Sequence, residues 1–152
     1  MATVTAIAGL LKTALEALPD VDQADINSYL PPIKTAAVAL VIPPLAQKTR
    51  AYTPTAGRGT WIFWHQIRCE FWVKLSAGDI SGAVQKAREI GLQAINVLIT
   101  DATLNNNSLR VGWYGQSTGQ TIESDVTDRP IEIGGVPYFV ATVYVPIVDF
   151  GA

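Results

Sequence analysis

The sequence predicts one α+β domain over residues 1–152, with two layers: a mostly antiparallel β-sheet and, packed on it, an N-terminal helix and one long central helix. Three patterns support this fold class. Two segments space their apolar residues as helices do, one long segment alternates apolar and polar residues, and a C-terminal apolar segment follows a two-glycine turn. The order helix, strands, helix, strands is typical of α+β domains. A chain of 152 residues is long enough for one such core.

Both helices are predicted from apolar side chains spaced by three and four residues. The first spans about Thr5 to Leu18, with Thr3 or Thr5 as N-cap and Pro19 ending it. The second follows Asp79, which can cap it, and about 22 residues fit the helical template. Its predicted core face consists of Ile80, Ala83, Val84, Ala87, Ile90, Gly91, Ala94, Ile95 and Leu98. The glycine in this face indicates a close approach of the helix to the sheet.

The strands are predicted from β-branched, aromatic and alternating residues. They are Thr35–Ile42, Thr60–Leu75, Leu109–Trp113, and a hairpin of Ile131–Ile133 and Val136–Val148 joined by Gly134-Gly135. The long second strand has one apolar side and one side that mixes tryptophan with charge. The last strand is apolar on both sides, so we expect it to be central and covered on both faces.

The connecting segments lack a clear apolar period. We expect Asp20–Pro32 to be a connector with at most one short turn of helix, and Asp101–Ser108 to be a polar turn. Arg50–Gly59, with its proline and glycines, is predicted to be a loop long enough to contact a partner. Gln120–Arg129 shows no helical face.

Charge is scarce in this sequence. Charged residues make up 16% of the chain, against about 25% in a typical globular domain, while 49% of the residues are hydrophobic. This composition excludes intrinsic disorder and predicts that part of the surface is covered by other subunits. The net charge of −2 and the scattered basic residues predict no face for specific nucleic-acid binding.

The sequence predicts neither secretion nor membrane insertion. Lys12 interrupts the apolar N-terminal stretch, unlike a signal peptide, and the single Cys69 cannot form an internal disulfide. The longest uncharged run, Ile133–Val148, contains glycines and prolines and is shorter than the roughly 20 apolar residues of a membrane helix.

Catalytic motifs are incomplete. Gly115–Gly119 matches the G-x-S-x-G of a nucleophile elbow, but that elbow needs a histidine downstream, and the only histidine, His65, lies upstream. His65 and Cys69 alone cannot make a zinc site, so we interpret His65 as a core histidine. We therefore predict no catalytic residue and no enzyme activity.

Metal and cofactor motifs are also incomplete. Asp20, Asp22 and Asp25 begin like a calcium loop, but the turn glycine and the final glutamate are missing. Asp125 and Asp128 are a loop pair with no implied pocket, and the sequence around Gly57-Arg58-Gly59 lacks the third glycine of a dinucleotide site. We predict no metal and no cofactor.

The candidate functional residues are of the types enriched at protein interfaces. Tryptophans and an arginine occur on the mixed side of the long strand, and further arginines and a tyrosine occur in the loop before it. These candidates are Arg50, Tyr52, Arg58, Trp64, Arg68 and Trp72.

The order of elements resembles the tail terminator and neck (head-tail joining) proteins of tailed bacteriophages. The segments that carry the resemblance are ALPD at the end of the first helix, VIPP at the end of the first strand, the Arg- and Gly-containing loop, WIFWHQIRCEFWVKL, GDISGAVQKAREI and PYFVATVYVPIVDF. They cover nearly the whole chain. No diagnostic ligand motif accompanies them, so the resemblance concerns architecture.

The resemblance implies a structural virion protein that forms a homo-oligomeric ring, usually a hexamer, on the last ring of the tail tube. Such a ring ends tube polymerisation and presents a surface to a head-side connector or neck protein, after assembly in the bacterial cytoplasm. It implies no cofactor, no specific nucleic-acid binding and no membrane. Two alternatives stay open: another head-tail connector or tail-tube subunit, and a small-molecule-binding α+β domain with the Trp61–Trp72 strand as a pocket wall.

Overall fold

Two helices lie on one face of a mixed sheet, as the sequence predicts for a two-layer α+β fold. The computed structural model describes residues 3–26, 37–43, 48–52, 62–76, 78–101, 103–104, 109–112 and 122–150, with the backbone alone for 48–52 and 62. The helices are α1 (Val4–Glu16) and α2 (Ile80–Thr100). Within the described residues the strands are β1 (Gln23–Ile26), β2 (Val38–Ile42), β3 (Lys48–Tyr52), β4 (Ile62–Lys74), β5 (Leu109–Val111), β6 (Glu123–Val126), β7 (Ile131–Ile133) and β8 (Val136–Asp149).

The sheet is organised around its two longest strands, β4 and β8, which lie side by side and antiparallel. Their pairing extends from Phe63 opposite Asp149 to Lys74 opposite Tyr138. Short strands line the outer sides of this pair end to end: β2 and β3 along β4, and β5, β6 and β7 along β8. Among the described strands only β1 and β2 run parallel to each other, so the sheet is mostly antiparallel, as predicted.

The C-terminal hairpin forms as predicted. Gly134 and Gly135 both adopt positive φ, 59° and 81°, which suits the type I′ turn that tightly joins two antiparallel strands. The strand after this turn, β8, is buried on both faces: Phe139 is 2% exposed on one face and Val140 is 3% exposed on the other. Its predicted central position is confirmed.

Both helices begin at the predicted caps. The Thr3 side chain accepts a hydrogen bond from the backbone N–H of Ala6 at 3.1 Å, and Asp79 Oδ1 accepts one from the N–H of Gly82 at 3.0 Å. Neither of these two described helices has the length and apolar character needed to cross a membrane. The buried face of α1 packs on β1 and β2 and against α2, whereas that of α2 packs on β4, β6 and β8. The α2 contribution includes Ala83, Ala87, Ile90, Ala94 and Leu98, as predicted. Ile80, also predicted for this face, is 55% exposed because it lies in the first turn of the helix.

The helix α2 lies close to the sheet at Gly91. A Cβ atom at this position would overlap the hydroxyl oxygen of Ser124 in β6. The close approach predicted from this glycine is therefore present, and β6 is the strand it approaches.

The prediction that Asp20–Pro32 is a connector with at most a turn of helix is wrong at residues 23–26, which form β1. This strand pairs in parallel with β2, and the Asp22 carboxylate beside it accepts hydrogen bonds from the N–H groups of Ala37 at 2.8 Å and Val38 at 3.1 Å. Asp22 thus anchors the backbone at the start of β2. The strand is too short for its period to be visible, and its partner is distant in sequence. Residues 27–32 lie outside the described part of the chain.

Two further strands lie in segments for which we predicted no strand. The predicted loop Arg50–Gly59 overlaps β3, which pairs with residues 62–66 of β4; positions 53–59 lie outside the described residues. The segment Gln120–Arg129 contains β6, which pairs with residues 141–144 of β8. These strands form because their backbones pair with a long neighbouring strand. Their polar composition shows no apolar alternation from which a strand could be predicted.

Replacing Ile90 by aspartate tests the helix register. Ile90 is 0% exposed, so the carboxylate would be buried without a partner and should lower the free energy of unfolding by about 3–5 kcal/mol. Leu92→Asp is the matched control, because Leu92 is 67% exposed and should tolerate the charge with little loss. Urea unfolding measures both; equal stabilities for the two variants would contradict this packing.

Candidate interaction surfaces

Side chains of β4 and β8 alternate between the helix-covered face of the sheet and the opposite face, which we name the open face. The odd-numbered side chains enter the core beneath the helices. The open face consists of Trp64, Gln66, Arg68, Glu70, Trp72 and Lys74 of β4 and Tyr138, Val140, Thr142, Tyr144, Pro146 and Val148 of β8. No helix residue belongs to the apolar cluster on this face. The helices therefore pack on one face of the sheet, and the apolar cluster of the open face contains strand residues only.

One end of the open face is apolar and centred on Trp72 and Tyr138. Their rings meet edge to face, with centroids 5.6 Å apart and an interplanar angle of 79°. Trp72 Nε1 also donates a hydrogen bond to Glu70 Oε1 at 3.4 Å. Trp72 is 8% and Tyr138 1% exposed, so this end is packed within the subunit. The predicted interface residue Trp72 consequently offers little free surface.

The other end of the open face is more polar and is half-exposed along β4, although Pro146 and Val148 of β8 are buried there. Trp64 is half-buried, and Arg68 Nε lies 3.2 Å from Glu70 Oε2, with the Arg68 side chain 39% exposed. A pair this accessible to water contributes at most about 1 kcal/mol to stability, so its main effect is to orient the arginine. Trp64 and Arg68 thus place an aromatic ring and a cation on the same accessible part of the sheet, a combination suited to a protein partner.

The remaining predicted interface residues belong to, or follow, the neighbouring strand. In the register of β3 with β4, Arg50 stands opposite Trp64 and Tyr52 opposite Ile62. Arg58 lies outside the described residues. The structure therefore brings Arg50, Tyr52, Trp64, Arg68 and Trp72 onto two adjacent strands.

A second surface, absent from our sequence predictions, lies on α2. Leu92 is 67% and Ile99 45% exposed, and half-buried Ile95 lies between them. We name these three residues the α2 stripe. The three residues are spaced by three and four positions, so the sequence places them on one side of the helix. That side is distinct from the face that packs in the core. Ile95, one turn after Gly91, lies on the β6 side of α2, whereas Leu92 and Ile99 point away from the sheet.

The histidine and the cysteine of β4 both lie in the core. His65 is 3% exposed, which confirms the interpretation of a core histidine, and Asp149 near it is 0% exposed. Burial lowers the pKa of His65, while the Asp149 carboxylate acts in the opposite direction. Burial, with a smaller effect of Glu70, raises the pKa of Cys69 to about 12, so its thiol stays protonated and is a poor nucleophile.

Within the described ranges, no three His, Cys, Asp or Glu side chains are grouped so that they could hold a metal ion. The motifs around Gly57-Arg58-Gly59 and Gly115–Gly119 lie outside those ranges. Asp125 is in β6, and Asp128 is exposed after that strand.

Comparison with protein-family models and with curated proteins gives no match for this chain. Because an α+β layer pair hosts enzymes and structural subunits alike, the surfaces described above are more informative about function than the fold class.

The burial of Cys69 predicts slow thiol modification. The native protein should react with a disulfide reagent at least about 100-fold more slowly than the urea-unfolded chain, because the thiol is both buried and protonated. A Cys69→Ser variant supplies the reagent blank. Equal rates for the native and unfolded chains would place Cys69 at the surface.

The lowered pKa of His65 predicts a loss of stability in mild acid. The unfolded chain, with a histidine near its ordinary value of 6.5, binds the proton more readily than the folded protein, so the free energy of unfolding should fall as the pH drops below 6.5. Thermal unfolding between pH 7.5 and about 5 measures this slope. His65→Gln should flatten it, and an unchanged slope in that variant would assign it to other groups.

Proposed function

We propose that this chain is a structural virion subunit: a tail terminator that forms a homo-oligomeric ring on the tail tube of a bacteriophage. The ring ends tube polymerisation and provides the surface to which the head joins. The observation that supports this best is the presence of two different interaction surfaces on one small domain. They are the polar end of the open face with Trp64 and Arg68, and the α2 stripe on the opposite layer.

Two unlike surfaces suit a ring. A symmetric dimer uses one self-complementary patch, whereas a ring uses two different patches that meet head to tail and close by rotation. The Trp64 and Leu92 regions belong to opposite layers of the fold, so one copy can contact two others without overlap. The resemblance of the element order to tail terminators favours six copies.

The charge of the chain agrees with this role. The net charge is −2, and charged residues make up 16% of the sequence, so surface apolar area is available for contacts between subunits. A ring around the path of viral DNA must let the duplex slide, and a protein without a basic face does not retain it. No catalytic step is required.

The proposed partners are further copies of the chain, the tail tube protein on one side and a head-side connector or neck protein on the other. Assembly takes place in the cytoplasm of the host bacterium, and the finished ring belongs to the virion. Another connector or a tail-tube subunit is the nearest alternative, because related folds occur there. Tube subunits polymerise into long tubes, whereas a terminator stays as short rings.

Electron microscopy and native mass spectrometry of the purified chain test the proposal. We expect short closed rings at high concentration or on the ends of isolated tail tubes, and tubes capped in this way should stop growing when tube protein is added. Leu92→Asp should weaken ring formation while leaving the melting temperature nearly unchanged, because its side chain is exposed.

A suitable control for that variant is Gln93→Asp, which adds the same charge at an exposed position on the other edge of α2. Gln93→Asp should form rings like the parent chain. A chain that stays monomeric both alone and with tubes would refute the ring, and unlimited tubes would identify a tube subunit instead.

A further inference from the structure

Two short strands on opposite sides of the sheet carry opposite charge. β6 contains Glu123 and Asp125 and no basic residue, whereas β3 contains Lys48 and Arg50 and no acidic residue. The β4/β8 pair separates them, because β3 flanks β4 and β6 flanks β8. The sheet thus has an acidic strand on one side and a basic strand on the other.

The outer edge of β6 can accept another strand. The N–H of Thr127, just after β6, donates to the carbonyl of Val140 at 3.0 Å, so by alternation Glu123 and Asp125 direct their backbone groups towards β8. The backbone N–H and C=O groups of Ser124 and Val126 then point away from it. Within the described residues β6 pairs with β8 alone, which leaves these groups available to a partner strand.

The α2 stripe extends over the same side of the molecule. Gly91 of α2 lies against Ser124 of β6, and the stripe begins at the next residue, Leu92. A strand added to β6 would extend the sheet beside α2, on the side where the half-buried Ile95 follows Gly91 by one turn. Hydrogen-bonding groups, apolar surface and negative charge therefore occur together along one edge.

We propose that β6 of one copy pairs with β3 of the next copy, so that the sheet continues from subunit to subunit. The inference rests on the proposed ring and specifies which strands join neighbouring subunits in it. Opposite charges on the two strands make the pairing selective for this combination, since β6 against β6 and β3 against β3 would place like charges together. Because the two edges differ, the contact is head to tail, the type of contact that forms a ring when the rotation between neighbours closes.

Charge reversal on each strand tests this contact. The β6 variant is Glu123→Lys with Asp125→Lys, and the β3 variant is Lys48→Glu with Arg50→Glu. Each variant alone would bring like charges together at every contact, and its association should weaken at least about 10-fold relative to the parent chain. Glu123 and Asp125 are exposed, so the β6 variant should melt normally. Asp20→Lys with Glu89→Lys repeats the β6 charge change on exposed residues outside the strands and should form rings.

Mixing the two variants gives the decisive result. The reversed β6 of one variant attracts the reversed β3 of the other, and the unreversed strands attract each other too, so the mixture should form rings in which the two variants alternate in equal number. Native mass spectrometry resolves this composition. Hydrogen exchange on the parent chain adds a second measurement that needs no variant: the amides of Ser124 and Val126 should exchange more slowly in rings than in monomers.

The outcomes separate this inference from the function on which it rests. Parent rings with unchanged assembly of either charge variant would refute the strand contact and leave the terminator proposal standing. Unprotected Ser124 and Val126 amides in parent rings, or a mixture of folded variants that stays monomeric, would refute it as well. A parent chain that forms no ring would overturn both proposals.

Discussion

The pairing of β4 with β8 is the constraint on which the other elements depend. Both strands carry one set of side chains for the helix-covered face and another for the open face, and Cys69 opposite Val143 is one core pair of this register. A slip of one residue would move the whole core set of a strand to the wrong face. The short strands, the helix α2 and the open face all take their positions from this one register.

The sequence analysis succeeded where an element is long enough to show its own period. The α2 core face around Ile90, the alternation along β4 and the two-faced β8 were all predicted, because burial imposes a repeat over many residues. β1, β3 and β6 were missed. Each has four or five residues and forms through backbone pairing with a segment that is distant along the chain or itself longer, so no local pattern reveals it.

The candidate surfaces were predicted less completely than the core. Trp64 and Arg68 were found because tryptophan and arginine are conspicuous on a mixed strand face, but the burial of Trp72 against Tyr138 required the three-dimensional pairing of β4 with β8. The α2 stripe was overlooked since single exposed apolar residues such as Leu92 are ordinary on protein surfaces. The stripe becomes a candidate interaction surface only when the structure shows that α2 lies over β6.

The division of one side of β8 into β5, β6 and β7 has a consequence for sequence change. The breaks between these strands interrupt the edge but not β8, which runs unbroken past all three. Residues can be inserted or deleted at such breaks without shifting the register of the central strands, because loop length affects stability only weakly. An edge strand can therefore be exchanged or resized while the core stays intact, so the fold can adapt to a different neighbour by altering a few residues at its margin.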